Sequence, residues 1–127
     1  MFSLSSMLQV ALGGAAGSVL RYMTNVAAGR LFGTQFPAGT LAVNVLGSFL
    51  MGMLVVALAK TSGTRHAPFL MTGLLGGFTT FSAFSLDTLT LYERGQPGVA
   101  AAYVAGSVVL SLAAIVAGIH AARGIWL

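Results

Sequence analysis

Thr72-Gly-Leu-Leu-Gly-Gly-Phe-Thr-Thr-Phe-Ser-Ala-Phe-Ser85 is the stretch whose reading decides the fold. It lies inside a hydrophobic run long enough to enter a bilayer, yet its middle is ill suited to a plain lipid-facing helix. Gly76 and Gly77 are poor helix formers. Thr79 and Thr80 are β-branched, with hydroxyls that compete for backbone partners. Phe78, Phe81 and Phe84 recur every three residues, which a helix would put on one side. One reading is a helix interrupted near 76–80, with main-chain carbonyls and amides freed at membrane depth. Such groups are tolerated only where protein or a water-filled cavity surrounds them, and an interrupted span is a common device for an ion site. The other reading is a continuous helix whose glycines admit a close neighbour.

The surrounding composition is that of a membrane protein. Of 127 residues, 57% are hydrophobic and 6% charged, against about 25% charged in a soluble domain. Four spans of about 20 residues with short loops use up the chain, which reads as one domain, 1–127. Without cysteine there is no disulfide, thiol chemistry or cysteine-bound metal. The start, Met1-Phe-Ser-Leu-Ser-Ser-Met7, lacks a basic region, so the first hydrophobic run is expected to be a retained span rather than a cleaved signal. The net charge of +4 is scattered, so no nucleic-acid binding is expected. Two histidines and two acids assemble no nucleophile–base pair or metal cluster, which argues against an enzyme.

The spans are expected at about 5–28, 40–59, 68–91 and 99–122. In the first, Gly13 and Gly17 form a GxxxG pair suited to close helix approach. Arg21 follows inside the apolar run; it either snorkels to the interface beside Tyr22 or faces protein or an aqueous vestibule, where it would attract anions. Thr40 is the expected cap of the second span. Asn44, one turn in, must face another helix or a pore, since a buried amide needs partners. Ser48 and Gly52 repeat the small-residue spacing, and Pro68 suits a first helical position. His66 reads as solvated. Asp87, near the end of the third span, either reaches water or pairs with an arginine. In the fourth span Tyr103, Ser107 and Ser111 make a hydroxyl stripe at four-residue spacing, and His120, Arg123 and Trp126 read as interfacial anchors.

With four spans, Lys60, Arg65 and Arg123 fall on one side, and Arg30 and Arg94 on the other. Three against two is too even to fix orientation by the positive-inside rule. A chain that inserts both ways up would pair with itself as an antiparallel dimer through an isologous interface.

These residues resemble the Fluc (CrcB-type) fluoride channels. The resemblance rests on Gly13-Gly-Ala-Ala-Gly-Ser-Val-Leu-Arg-Tyr22, Gly39-Thr-Leu-Ala-Val-Asn44, Gly76-Gly-Phe-Thr-Thr-Phe-Ser-Ala-Phe-Ser85, and Tyr103 with Ser107, in the family's order over nearly the full length. The third motif is the specific one. The resemblance implies an all-α membrane fold, with four transmembrane helices per chain and the third broken mid-membrane, assembled as an antiparallel dual-topology homodimer with two pores. It implies that Phe81 and Phe84 present ring edges to fluoride, that Asn44 lines the pore, and that Tyr103 and Ser107 follow along the polar track. It implies a structural sodium ion at the dimer centre, held by the Gly76 and Thr79 carbonyls, and Arg21 near a vestibule. The implied role is passive export of fluoride across a bacterial inner membrane, relieving its toxicity. Many relatives have Thr where this chain has Ala83.

Fluoride is small, strongly hydrated and a strong hydrogen-bond acceptor, so a selective pore must offer donors in its path. Those available are the Asn44 amide, the Thr80, Ser82 and Ser85 hydroxyls, and the Tyr103 phenol; phenylalanine adds its electropositive edge. Asp87 should lie off the route. The competing reading, a small proton-coupled exporter of cationic drugs or guanidinium, needs a membrane-embedded glutamate in the first span, and this chain has none there.

Overall fold

The computed structural model describes residues 2–61 and 63–126. The Trp126 side chain, read above as an anchor, lies outside the described residues. Helix α1, Leu4–Phe32, begins at Ser3, whose hydroxyl accepts the Ser6 N–H at 3.3 Å. It stops at Gly33, whose φ of 79° is open to a residue without Cβ. Helix α2, Ala38–Thr61, starts before the expected cap. Pro37 supplies the capping carbonyl, which takes the Leu41 N–H at 3.2 Å, so Thr40 is buried inside the first turn instead. After a 3₁₀ turn at Gly63–His66, the third span begins at Pro68.

That span is broken. Pro68–Leu75 is wound as a π-helix and runs into an α-helical turn, Gly76–Phe78. Thr79 (φ −85°, ψ 159°) and Thr80 (φ −152°, ψ 124°) are extended. Helix α3, Phe81–Glu93, then resumes. The interruption read from the sequence is present, but the threonines make it and the glycines stay helical. The Thr79 hydroxyl and N–H both bond the Leu75 carbonyl at 3.0 Å. The Thr80 hydroxyl accepts the Ala83 N–H at 3.1 Å and so caps α3. The π winding upstream has no counterpart in the sequence reading. A turn through Gly95 (φ 78°) leads to helix α4, Pro97–Trp126. Among the described residues there is no strand.

Two glycine seams hold the helices together. Along α1, a Cβ on Gly13 would meet the Phe69 carbonyl oxygen, and one on Gly17 the Leu74 carbonyl oxygen; Gly73 and Gly77 touch the backbone of Gly13 and Gly14 in return. Helix α1 and half-helix 68–78 therefore lie side by side in parallel, backbone on backbone. On the other side, Gly52 of α2 and Gly118 of α4 meet the carbonyls of Ile115 and Phe49. A small core of Leu91, Ala100 and Tyr103, with Leu41 and Phe84 against it, closes the end of α3. Outside, Leu86, Val109, Leu112 and many other large apolar side chains are exposed, the inverse of a water-soluble surface. Three stretches, Ala38–Thr61, Thr64–Glu93 and Pro97–Ile125, are long and apolar enough to cross a membrane. Helix α1 has the length, but Gln9, Arg21, Asn25 and Arg30 make it more polar.

Candidate functional site

The break is held from two other helices. Asn44, on α2, accepts the Thr80 N–H on Oδ1 at 2.8 Å and donates from Nδ2 to the Thr80 carbonyl at 3.0 Å. Bonds of opposite polarity to one residue fix which way the amide faces. Arg21, on α1, donates from Nε to the Gly77 carbonyl at 3.0 Å. In a continuous helix the Thr80 N–H would close on the Gly76 carbonyl, and the Ala83 N–H on the Thr79 carbonyl. Here Asn44 takes the first donor and the Thr80 hydroxyl the second. The Gly76 and Thr79 carbonyls have thus lost their helical donors.

Beside the break runs an open groove of about 420 Å³, lined by Asn44, Thr79, Thr80, Phe81, Phe84, Ser107 and Ser111 among others. Phe81 and Phe84 face each other with ring centroids 5.6 Å apart and planes at 57°. Phe84 continues to Tyr103 at 5.3 Å and 42°. Phe81 is 78% exposed. The Ser107 hydroxyl is buried and has no hydrogen-bond partner. The three phenylalanines do not share a side: the break turns Phe78 into the interior, 8% exposed, away from the other two.

Of the residues singled out in the sequence, the groove brings together Asn44, Ser48, Thr79, Thr80, Phe81, Phe84, Ser107 and Ser111. The others stand apart. Ser82 lies 3.4 Å from the Thr80 hydroxyl, and Ser85 donates to the Phe81 carbonyl at 3.0 Å. Tyr103 is 2% exposed and donates to Asp87 at 3.1 Å. Gly76 sits at the end of the half-helix. Asp87 finds a phenol rather than an arginine, and faces a second cavity of about 290 Å³ with Asn25, Thr40, Thr90 and Arg94. The reach of Arg21 to the break escaped the sequence reading. Its signal is a four-residue row on α1: Gly13, Gly17, Arg21, Asn25. Gly13 and Gly17 meet the half-helix, Arg21 the Gly77 carbonyl in its last turn, and Asn25 the start of α2 at Gly39.

Residues 8–119 match the family model described as CrcB-like protein, Camphor Resistance (CrcB). The chain is 69% identical over 121 residues to a protein of Cereibacter sphaeroides named fluoride-specific ion channel FluC, covering 95% of this chain and 97% of that one. A protein of the same name from Paracoccus denitrificans is 60% identical over 119 residues, 94% of this chain and 95% of its own length. Another, from Agrobacterium fabrum, is 51% identical over 119 residues, 92% and 95% of the two chains.

Proposed function

This chain belongs to the CrcB-like family, and on that premise we propose that it is a passive, selective fluoride channel. The family is one of ion channels, not enzymes. The observation that carries the proposal is the groove, where two phenyl rings, an orphaned hydroxyl and a clamped backbone break share one wall. Fluoride enters, exchanges water for the free edge of the Thr80–Ser82 pair, and passes the rims of Phe81 and Phe84 toward the buried Ser107 hydroxyl. The Ser85 and Tyr103 hydroxyl protons are already donated within the chain, so these two act by shaping the path. Selection against chloride follows from width and from donors set for close approach. Purified protein in liposomes should release loaded fluoride, read with a fluoride electrode, and hold chloride; release no faster than from empty liposomes refutes the channel.

The groove is a wall rather than a tube, with Phe81 left open on one chain. A second copy completes it, and the even split of basic residues supports an antiparallel pair with two pores, four spans per chain, in the bacterial inner membrane, exporting fluoride to relieve its toxicity. Labelling of single cysteines at Lys60→Cys and Arg65→Cys in cells should then come from both faces; labelling from one face alone removes the opposed arrangement.

Sodium fits the break. Gly76 and Thr79 each offer a carbonyl deprived of its helical donor; such unwound carbonyls are the kind of oxygen that coordinates sodium in membrane proteins. Two chains contribute them jointly. Bound there, the ion supplies positive potential where the low dielectric makes charge count.

Ser107→Ala separates function from stability. Its hydroxyl is buried without a partner, which costs about 1–3 kcal/mol. The variant should therefore melt no lower than wild type, while flux falls by about two- to tenfold with the lost donor. A lower melting temperature with unchanged flux would assign the hydroxyl to packing.

A further inference from the structure

The geometry points to Arg21 as a positioning residue of the break: its guanidinium takes up the Gly77 carbonyl and so removes the pull that would close the third span into one helix. In an unbroken helix the Gly77 carbonyl would accept the Phe81 N–H. Two extended residues, Thr79 and Thr80, carry Phe81 out of line. A carbonyl stranded at membrane depth is costly, and the cheapest protein-borne cure is to rewind. The Arg21 Nε–H at 3.0 Å is another cure.

The placement is built into α1. Gly17 lies against the backbone at Leu74 and Phe78, the last turn of the half-helix. Arg21 is one turn further along the same row and takes the Gly77 carbonyl in that last turn. The half-helix ends in carbonyls and carries the negative end of its dipole there, which a cation offsets. On the far side of the break, Asn44 occupies both backbone polar groups of Thr80. The two residues therefore grip opposite banks of the break from different helices: Arg21 the carbonyl that would pull it shut, Asn44 the peptide groups that must stay out of the helix.

Positioning and anion attraction make opposite demands on a substitution. The Nε2 of glutamine stands as many bonds from Cα as the Nε of arginine, so Arg21→Gln keeps a donor in place and discards the charge. Arg21→Met keeps the length and discards both. Full-length variants reconstituted in liposomes should show Arg21→Gln within about threefold of wild-type fluoride flux, and Arg21→Met down by about tenfold or more. Amide hydrogen exchange read at residues 79–82 should match wild type in Arg21→Gln and shift by about tenfold in Arg21→Met, as the bonds around Thr80 rearrange. Arg21→Gln as impaired as Arg21→Met, or exchange in Arg21→Met identical to wild type, overturns the proposal. Only the flux arm rests on the channel reading. If wild-type protein passes no fluoride, that reading falls, and the exchange comparison still decides the role of Arg21.

Discussion

Asn44→Leu is expected to lower fluoride flux by about thirtyfold or more, the equivalent of about 2 kcal/mol in the barrier, and to destabilise the protein as well. The leucine is close in size but bonds nothing. The Thr80 N–H loses its acceptor at 2.8 Å and the Thr80 carbonyl its donor at 3.0 Å. Each stranded group costs about 1–3 kcal/mol, so the total is about 2–6 kcal/mol. The Thr80 N–H would then be free to return to Gly76 and lengthen the helix. Because Asn44 acts through the backbone, Asn44→Asp should be nearly as damaging: its carboxylate still accepts from the N–H, but in its ionised form it repels the carbonyl. Flux in liposomes and thermal melting in detergent check both variants. Wild-type flux in Asn44→Leu would mean that the break stands without its clamp.

Phe81→Ile should behave differently: flux down by about tenfold or more, the equivalent of about 1.4 kcal/mol, with stability almost unchanged. Phe81 is 78% exposed, and its ring contact within the chain is with Phe84. Little packing is therefore lost within one chain. What disappears is the electropositive ring edge, which an aliphatic side chain of similar bulk cannot supply. The pairing of lost flux with retained melting temperature separates Phe81 from Asn44. Full flux in Phe81→Ile would remove the phenyl rims from the conduction path.

The Gly-Gly-Phe-Thr-Thr-Phe run made the interruption legible, because β-branched residues with hydroxyls have a local alternative to helix bonding. The bounds read from it, 76–80, contain the two extended residues, Thr79 and Thr80, at their far end. Gly76 and Gly77 are permissive rather than disruptive: both stay helical, and Gly77 lets α1 approach at Gly14. Phe78 joined the other two aromatics in the sequence reading because a three-residue period assumes one continuous helix, and two extended residues undo that assumption. The bonds from Asn44 to Thr80 span 36 residues and the bond from Arg21 to Gly77 spans 56. Such partnerships depend on how whole helices dock, and no local pattern encodes them. Asp87 is a similar case: the sequence left it either reaching water or pairing with an arginine, and α4 brings it the Tyr103 phenol at the edge of an open cavity. The π winding of Pro68–Leu75 is a choice among backbone hydrogen-bond ladders that the side chains leave open.

The seam between Gly13 and Gly17 of α1 and the half-helix also has a mechanical meaning. Main chain rests on main chain there, with no rotamers in between to absorb displacement. The two rods are locked as a stiff strut, and bending at the Leu74–Gly17 contact would force atoms into one another. Where the strut ends, the two extended threonines are held instead by hydrogen bonds, from Asn44 to Thr80 and from Thr79 to Leu75, rather than by main chain packed on main chain.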